Sequence, residues 1–182
     1  MHHIGEKISV TYSRDGIEDT ITLEAEKALE NYSLVKGDQF DQTPRYLIYG
    51  GVLFVPLNMN LLKRWGSDWR RAAPVGLLQM RNEWSSPERS EVVVALQVLA
   101  ADVNLGYHDW RNWVVESING RQVKNFDDFS NELKNNTQEN VVFENRNGYQ
   151  MVINHSEAEK SESSILEQYR IPSSRSVNLF TD

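Results

Sequence analysis

The chain has 182 residues, 40% of them hydrophobic, with 26 acidic side chains against 19 Lys and Arg, a formal net charge of −7 and no cysteine. That length buries one good core and a fraction of a second, and the acidic balance argues against general nucleic-acid or anionic-membrane binding. The lack of cysteine excludes a disulfide framework, a thiolate nucleophile and a Cys-based zinc site while leaving the compartment open, and no apolar run approaches the roughly 20 residues needed to span a bilayer.

The N-terminal stretch MHHIGEKISV lacks the apolar segment of a signal peptide and passes almost at once into strand-like residues. Residues 8–12 and 17–23 alternate apolar and polar side chains around Arg14-Asp15-Gly16, a hairpin pattern in which Asp-Gly supplies the positive φ angles of a two-residue turn. Residues 24–45 are polar and mixed and read as a connector. YLIYGGVLFVPLN, residues 46–58, predicts two short strands around Gly50-Gly51. Residues 58–88 read as helical in pieces, broken at Gly66 and Pro74 and closed near Pro87. The β-branched run EVVVALQVLA at 91–100 predicts a buried strand. Two short strands follow around Asn119-Gly120. The stretch 125–135 then predicts a short amphipathic helix, with Phe126, Phe129 and Leu133 at i, i+3 and i+7 and Asn125 as its N-cap.

A second hairpin is expected over about 139–154, turning at Arg146-Asn147-Gly148. A charged helix follows over roughly 157–170, stopped by Pro172. Residues 10–26 and 142–159 thus repeat one pattern: alternating run, Arg, Asp-Gly or Asn-Gly, alternating run, Glu-Ala-Glu. An isolated two-stranded hairpin is marginal in water, so the first one must lean on something else.

Catalytic signals are missing. No Gly-x-Ser-x-Gly nucleophile elbow occurs. His2 and His3 sit at the very start of the chain, His108 beside a loop and His155 at a strand end, none with ligand or general-base spacing. Asp127 and Asp128 are adjacent on the predicted helix and point about 100° apart, as first-turn charges favoured by the helix dipole. No metal or cofactor is expected. In the 58–88 segment Trp65, Trp69 and Trp84 interleave with Lys63, Arg64, Arg70, Arg71 and Arg81. That pattern fits a helical cap whose tryptophans pack on the sheet, or a subunit contact, and fits a membrane or nucleic-acid surface less well in an acidic chain.

The run NLGYHDWRNWVVESINGRQVKNFDDFSNEL at 104–133 resembles the central signature of bacterial PDZ domains, and GEKISVTYSRDG at 5–16 resembles the closing strands of such a domain. With YLIYGGVLFVPLN and SSILEQYRIPSSRS, the likeness extends to the C-terminal region of the Do-like (Deg/HtrA) serine proteases, in the branch whose second PDZ domain carries an insertion. The resemblance implies an α+β fold: a mostly β PDZ-like domain, a partly open barrel with a short groove helix, at 46–156 with its insertion at 58–88. It would be preceded by an orphan hairpin (1–27, the end of a truncated PDZ-like domain) and a connector (28–45), and followed by a C-terminal helix and tail (157–182). The chain would be a piece of a longer serine endopeptidase, itself without the Ser-His-Asp triad.

The resemblance also implies a peptide site. PDZ domains bind an extended peptide as an added strand and hold its terminal carboxylate on the backbone amides of a glycine loop. Tyr49, Gly50, Gly51 and Val52 match that loop; Leu53 and Phe54 would continue the ligand-pairing strand; Phe126, Ser130 and Leu133 would line the groove. Two departures stand out: Pro56 shares the parity of Val52 and Phe54, so its missing N–H shortens the ladder, and Phe126 replaces a histidine common in eukaryotic PDZ domains, favouring apolar ligands. One alternative reading is a plain Gly-Gly turn and a core Phe126; another is an assembly module with a self-occupied groove that mediates oligomerisation. Implied partners are peptides or unfolded segments, the protein's own protease domain and neighbouring subunits. A homo-oligomer through residues 8–23 is a further expectation.

Overall fold

The computed structural model describes residues 3–25, 32–177 and 179. Strands β1 (Lys7–Arg14) and β2 (Ile17–Glu24) pair antiparallel through the expected turn, Asp15 and Gly16 standing at φ 54° and 79°. Their register places Ile8, Val10, Tyr12, Ile17, Ile21 and Leu23 on one face and mainly Ser, Thr and Glu on the other. Ile8 alone is partly covered; every other residue of both strands is exposed.

Two four-stranded antiparallel sheets form the body. One has the order β3 (Leu47–Tyr49), β4 (Val52–Pro56), β5 (Val93–Val98), β6 (Arg111–Val115). The other runs β10 (Gln150–Asn154), β9 (Asn140–Glu144), β7 (Ser117–Ile118), β8 (Arg121–Gln122). β6 and β7 are one extended stretch interrupted at Glu116, which carries the chain from the first sheet to the second. Both carboxylate oxygens of Glu116 accept from a single nitrogen, Nη1, of the nearly buried Arg89 guanidinium, at 2.7 and 2.9 Å, a charge-assisted contact that fixes the corner. Between β7 and β8, Asn119 and Gly120 (φ 51° and 79°) form the predicted two-residue turn.

Alternation along the strands makes two cores. Val52 and Phe54 of β4, with Val93 and Ala95 of β5, face Val141, Phe143, Met151 and Ile153 of the second sheet, and α4 (Phe126–Lys134) closes this core with Phe126, Phe129 and Leu133. Val94 on the opposite face of β5, with Val92 just before the strand, packs under the insertion, whose short helices α1 (Met59–Lys63), α2 (Trp69–Ala72) and α3 (Val75–Met80) contribute Leu62, Trp69, Leu77 and Met80, joined by Ala73 at the end of α2. The unbroken β-branched run in β5 therefore reflects burial on both faces. Gly66 (φ 88°) and Pro74 break the helices where expected. Trp69 is buried with Arg70 and Arg81 over its ring at 4.5 and 5.6 Å, an arrangement of the cap kind, whereas Trp84 is exposed.

Three details differ from the sequence reading. The polar connector carries Leu34 and Val35 into the insertion core, held by bridges Ser33–Trp84 and Lys36–Asn58; residues 26–31 of it lie outside the described residues. The second hairpin does not turn on two residues: the Asn145 carboxamide oxygen accepts from the N–H groups of Asn147 and Tyr149, and the Gly148 N–H donates to the Asn145 carbonyl. Only Gly148, at φ 78°, is left-handed there, so the side chain of Asn145 selects a longer turn. Helix α5 (His155–Gln168) starts two residues earlier than expected, N-capped by Asn154, whose side chain accepts from the Glu157 N–H at 3.1 Å. It ends before Pro172 through paired bonds, Arg170 N–H to Glu167 and Ile171 N–H to Leu166, with Arg170 at φ 55° where glycine is usual.

Candidate peptide-binding groove

The glycine pair that resembles a carboxylate loop forms a closed hairpin turn. Gly50 and Gly51 stand at φ 53° and 78°, and Tyr49 pairs with Val52, Ile48 with Leu53, Leu47 with Phe54. β4 is consequently flanked on both edges, by β3 and by β5. The chain itself supplies an antiparallel strand along the edge that a ligand would use, and the Leu47 side chain enters the first core beside Phe126, Phe129 and Leu133. Pro56 lies past the last β3–β4 pair, so its missing N–H costs no bond in that ladder.

Both glycines are required by close approach as well as by φ. A Cβ on Gly51 would sit 2.4 Å from Asn104 Nδ2 and 2.6 Å from the Leu99 carbonyl oxygen; one on Gly50 would sit 2.7 Å from Ile153 Cγ2. Asn104, fully buried, donates from Nδ2 to the carbonyls of Gly50 and Leu99, each at 2.8 Å, while its Oδ1 accepts from the Ala101 N–H at 3.0 Å. One buried amide thus pins the turn. A bulky residue at 51 would strain the fold here, beyond any effect on a ligand.

The nine residues marked from the sequence fall into three groups. Val52, Phe54 and Phe126 are wholly buried in the first core, and Gly51 and Leu53 face the α5 side. Tyr49, Gly50, Ser130 and Leu133 come together on one cavity of about 390 Å³, bounded by β3, α4, α5 and the segment 173–175. Leu47, Leu133 and Ala158 give it an apolar lining; Lys134, Glu159, Glu162 and Arg175 bring charge. The Ser130 hydroxyl is turned inward and donates to the Phe126 carbonyl at 2.7 Å, so it offers a ligand little. α4 itself forms as predicted, the Asn125 side chain accepting from the Asp128 N–H at 2.8 Å. Its N-terminus is tied to the strand side by Glu91, which accepts from the Phe126 N–H at 3.0 Å and pairs with Arg45.

Sequence reasoning passed over His155. Its Nδ1 is 2.8 Å from the Tyr49 hydroxyl, its ring stacks on Tyr49, and Nε2 lies 3.7 Å from Glu159. Burial pushes the Tyr49 phenol well above its ordinary range, and the Glu159 carboxylate adds to the shift. The signal was available in Asn154-His155, a cap residue at a strand-to-helix junction, which aims the next side chain back across the sheet. Among the described residues no cluster of His, Asp and Glu is arranged to hold a metal ion, and no helix is long and apolar enough to cross a membrane.

Two sheets wrapped round a single groove helix, with a glycine turn at the groove's mouth, define a class. The PDZ domain family model matches residues 35–178, and the chain belongs to the PDZ domain family. Relatives that it matches include Do-like proteases of Arabidopsis thaliana. It is 30% identical to the mitochondrial protease Do-like 4 over 173 residues, covering 95% of this chain and 30% of that protein. It is 30% identical to the chloroplastic protease Do-like 2 over 139 residues (75% and 22%) and 27% identical to the putative protease Do-like 13 over 184 residues (100% and 32%). The chain therefore spans a third or less of the length of these relatives.

Proposed function

We propose that the chain is a non-catalytic peptide-binding and regulatory module of a Do-like serine protease, in which the usual strand-addition edge of β4 is held closed by the chain's own residues 46–49. The supporting observation is the cavity beside β3, where Tyr49 and Gly50 from the turn meet Ser130 and Leu133 from the groove helix. Its apolar lining and charged rim suit an extended polypeptide segment with one aliphatic side chain turned inward. Because the glycine turn is closed by covalent chain rather than open to a carboxylate, internal extended segments of unfolded proteins are the expected ligands as much as free C-termini. Such a module would regulate substrate access to a protease domain elsewhere in the protein.

The test is a fluorescence titration with peptides bearing free and amidated C-termini. Saturable binding of both forms is expected, weakened at least tenfold by Glu162→Trp, an exposed substitution that fills the cavity mouth. Binding that ignores Glu162→Trp, or no binding by folded protein, overturns the site.

A second reading is favoured by the exposed apolar face of β1–β2. We propose that this hairpin is the last hairpin of a preceding PDZ-like unit and that residues 8–23 make assembly contacts. Sedimentation of the chain at rising concentration, with and without Val10→Lys and Ile21→Lys, tests it: a monomer under all conditions ends the self-association reading.

A further inference from the structure

The segment after α5 returns to the free edge of β3 and pairs with it. Leu47 bridges Arg175 in antiparallel register; the Ile48 N–H donates to the Ser174 carbonyl at 2.6 Å, and the Ser176 N–H donates to the Tyr46 carbonyl at 3.0 Å. Tyr46 adds two further bonds: its N–H donates to the Ser176 hydroxyl at 3.3 Å and its phenol to the Ser173 carbonyl at 3.1 Å. Two side chains of the segment are buried, Ser176 at 4% exposure and Leu179 at 5%, the latter in the first core, while Val177 between them is 85% exposed. The same segment forms one wall of the cavity described above.

We infer that the outer edge of β3 is a strand-addition site in its own right, occupied in cis by residues 173–177 with Leu179 as an anchor, and that it recognises an extended segment carrying a small hydroxyl residue followed three positions later by an aliphatic one. This deepens the peptide-binding reading and rests on it for the identity of the competing ligand. Backbone pairing at Tyr46 and Ile48 supplies sequence-independent affinity; the Ser176 position admits only a small side chain able to accept from the Tyr46 N–H; the Leu179 position demands apolar burial. The occupant is covalently tethered, so a competitor faces a high effective local concentration and succeeds only when it is itself abundant or linked to a second contact. The left-handed turn at Arg170 and Pro172 beyond it set the segment's direction without binding it to the sheet. The tail is thereby a latch on the groove.

The experiment uses the full chain and its Ser176→Glu/Leu179→Asp variant, which frees the tail while keeping its length; Tyr46→Phe, which removes a single bond, stands in should the double variant fail the near-UV circular-dichroism check for folding. A labelled peptide of sequence PSSRSVNLFTD, residues 172–182, is titrated into each, with a scrambled control. The peptide is expected to bind the freed chain at least tenfold more tightly than the unaltered one. Exchange of the Ile48 amide should quicken at least tenfold in the freed chain and slow again when peptide is added. Equal binding to both chains, binding of the scrambled control, or an Ile48 amide indifferent to the tail overturns the inference. The two readings fail separately: library peptides blocked by Glu162→Trp without any tail exchange leave the groove and remove the latch, and tail exchange without library binding does the reverse.

Discussion

Two hairpins in this molecule are written in nearly the same residues and meet opposite fates. In β9–β10 the inward residues Val141, Phe143, Met151 and Ile153 are wholly buried, and the Phe143 ring lies 4.9 Å from that of Phe54 and 5.9 Å from that of Phe129. In β1–β2 the corresponding face, Ile8 to Leu23, stands open, with Ile17 at 71% exposure. Local pattern is sufficient to form the ladder in both cases; what a hairpin contributes to stability depends on the surface laid against it.

The sharpest way to break that comparison is truncation on the two inward faces. Phe143→Ala should cost about 3–5 kcal/mol in urea unfolding. Val10→Ala should stay within about 0.5 kcal/mol, the range of surface changes; a loss above that would mean the first hairpin has a hidden partner face. The turns offer a second contrast. Gly51→Ala faces both a left-handed backbone and contacts under 3 Å with Asn104 and Leu99, and should cost about 2–4 kcal/mol. Gly16→Ala meets nothing within 4 Å and should cost about 1 kcal/mol. Equal losses in chemical denaturation would show that conformation, and not crowding, decides the Gly51 site.

Smaller again is the cap of the buried hairpin's turn. Asn145→Ala removes acceptors for two N–H groups and should cost about 1 kcal/mol, read out as faster exchange of the Asn147 and Tyr149 amides; Asp15→Gly in the first hairpin should be neutral or slightly stabilising. The least effect is alkaline. Tyr49 packs on Phe143 and has its phenol raised by burial, so its contribution to stability is present below about pH 10, the unfolded value, and is lost as pH climbs from there through the raised folded value. Tyr49 should titrate late in an absorbance scan, and Tyr49→Phe should remove that late step at a neutral-pH cost of at most about 1 kcal/mol, the worth of its hydrogen bond to His155.

Much of the architecture could be read from residues alone. Phe126, Phe129 and Leu133 at helical spacing behind Asn125 specify α4 to within a residue, and Asp15-Gly16 and Asn119-Gly120 mark two-residue turns because few other dipeptides accept two left-handed residues. The groove was legible only in part. Gly50-Gly51 suits a ligand loop and a closed turn equally well, since both need positive φ and close approach; the pairing of Leu47–Tyr49 with β4 that closes the turn is tertiary. Ser173–Ser176 carries no strand signal at all: four small or charged residues bridge to β3 because β3 is the edge strand of its sheet and Tyr46 makes three hydrogen bonds with them. Leu34 and Val35 were hidden for a like reason, two apolar residues in a polar stretch giving no period to read.

The middle strands of the first sheet have an interior on either side. Successive valines at 92, 93 and 94 point alternately under the insertion and into the groove's core, so neither half of the domain has a private wall. Deleting residues 58–88 to reach a minimal domain would lay Val92 and Val94 bare and leave a sticky, sparingly soluble sheet; conversely, a strand with threonine and lysine at those places would have nothing to offer the three short helices. Loss of the insertion would therefore have to be matched by polar residues at positions 92 and 94, while Val93 and Ala95 kept their places in the first core.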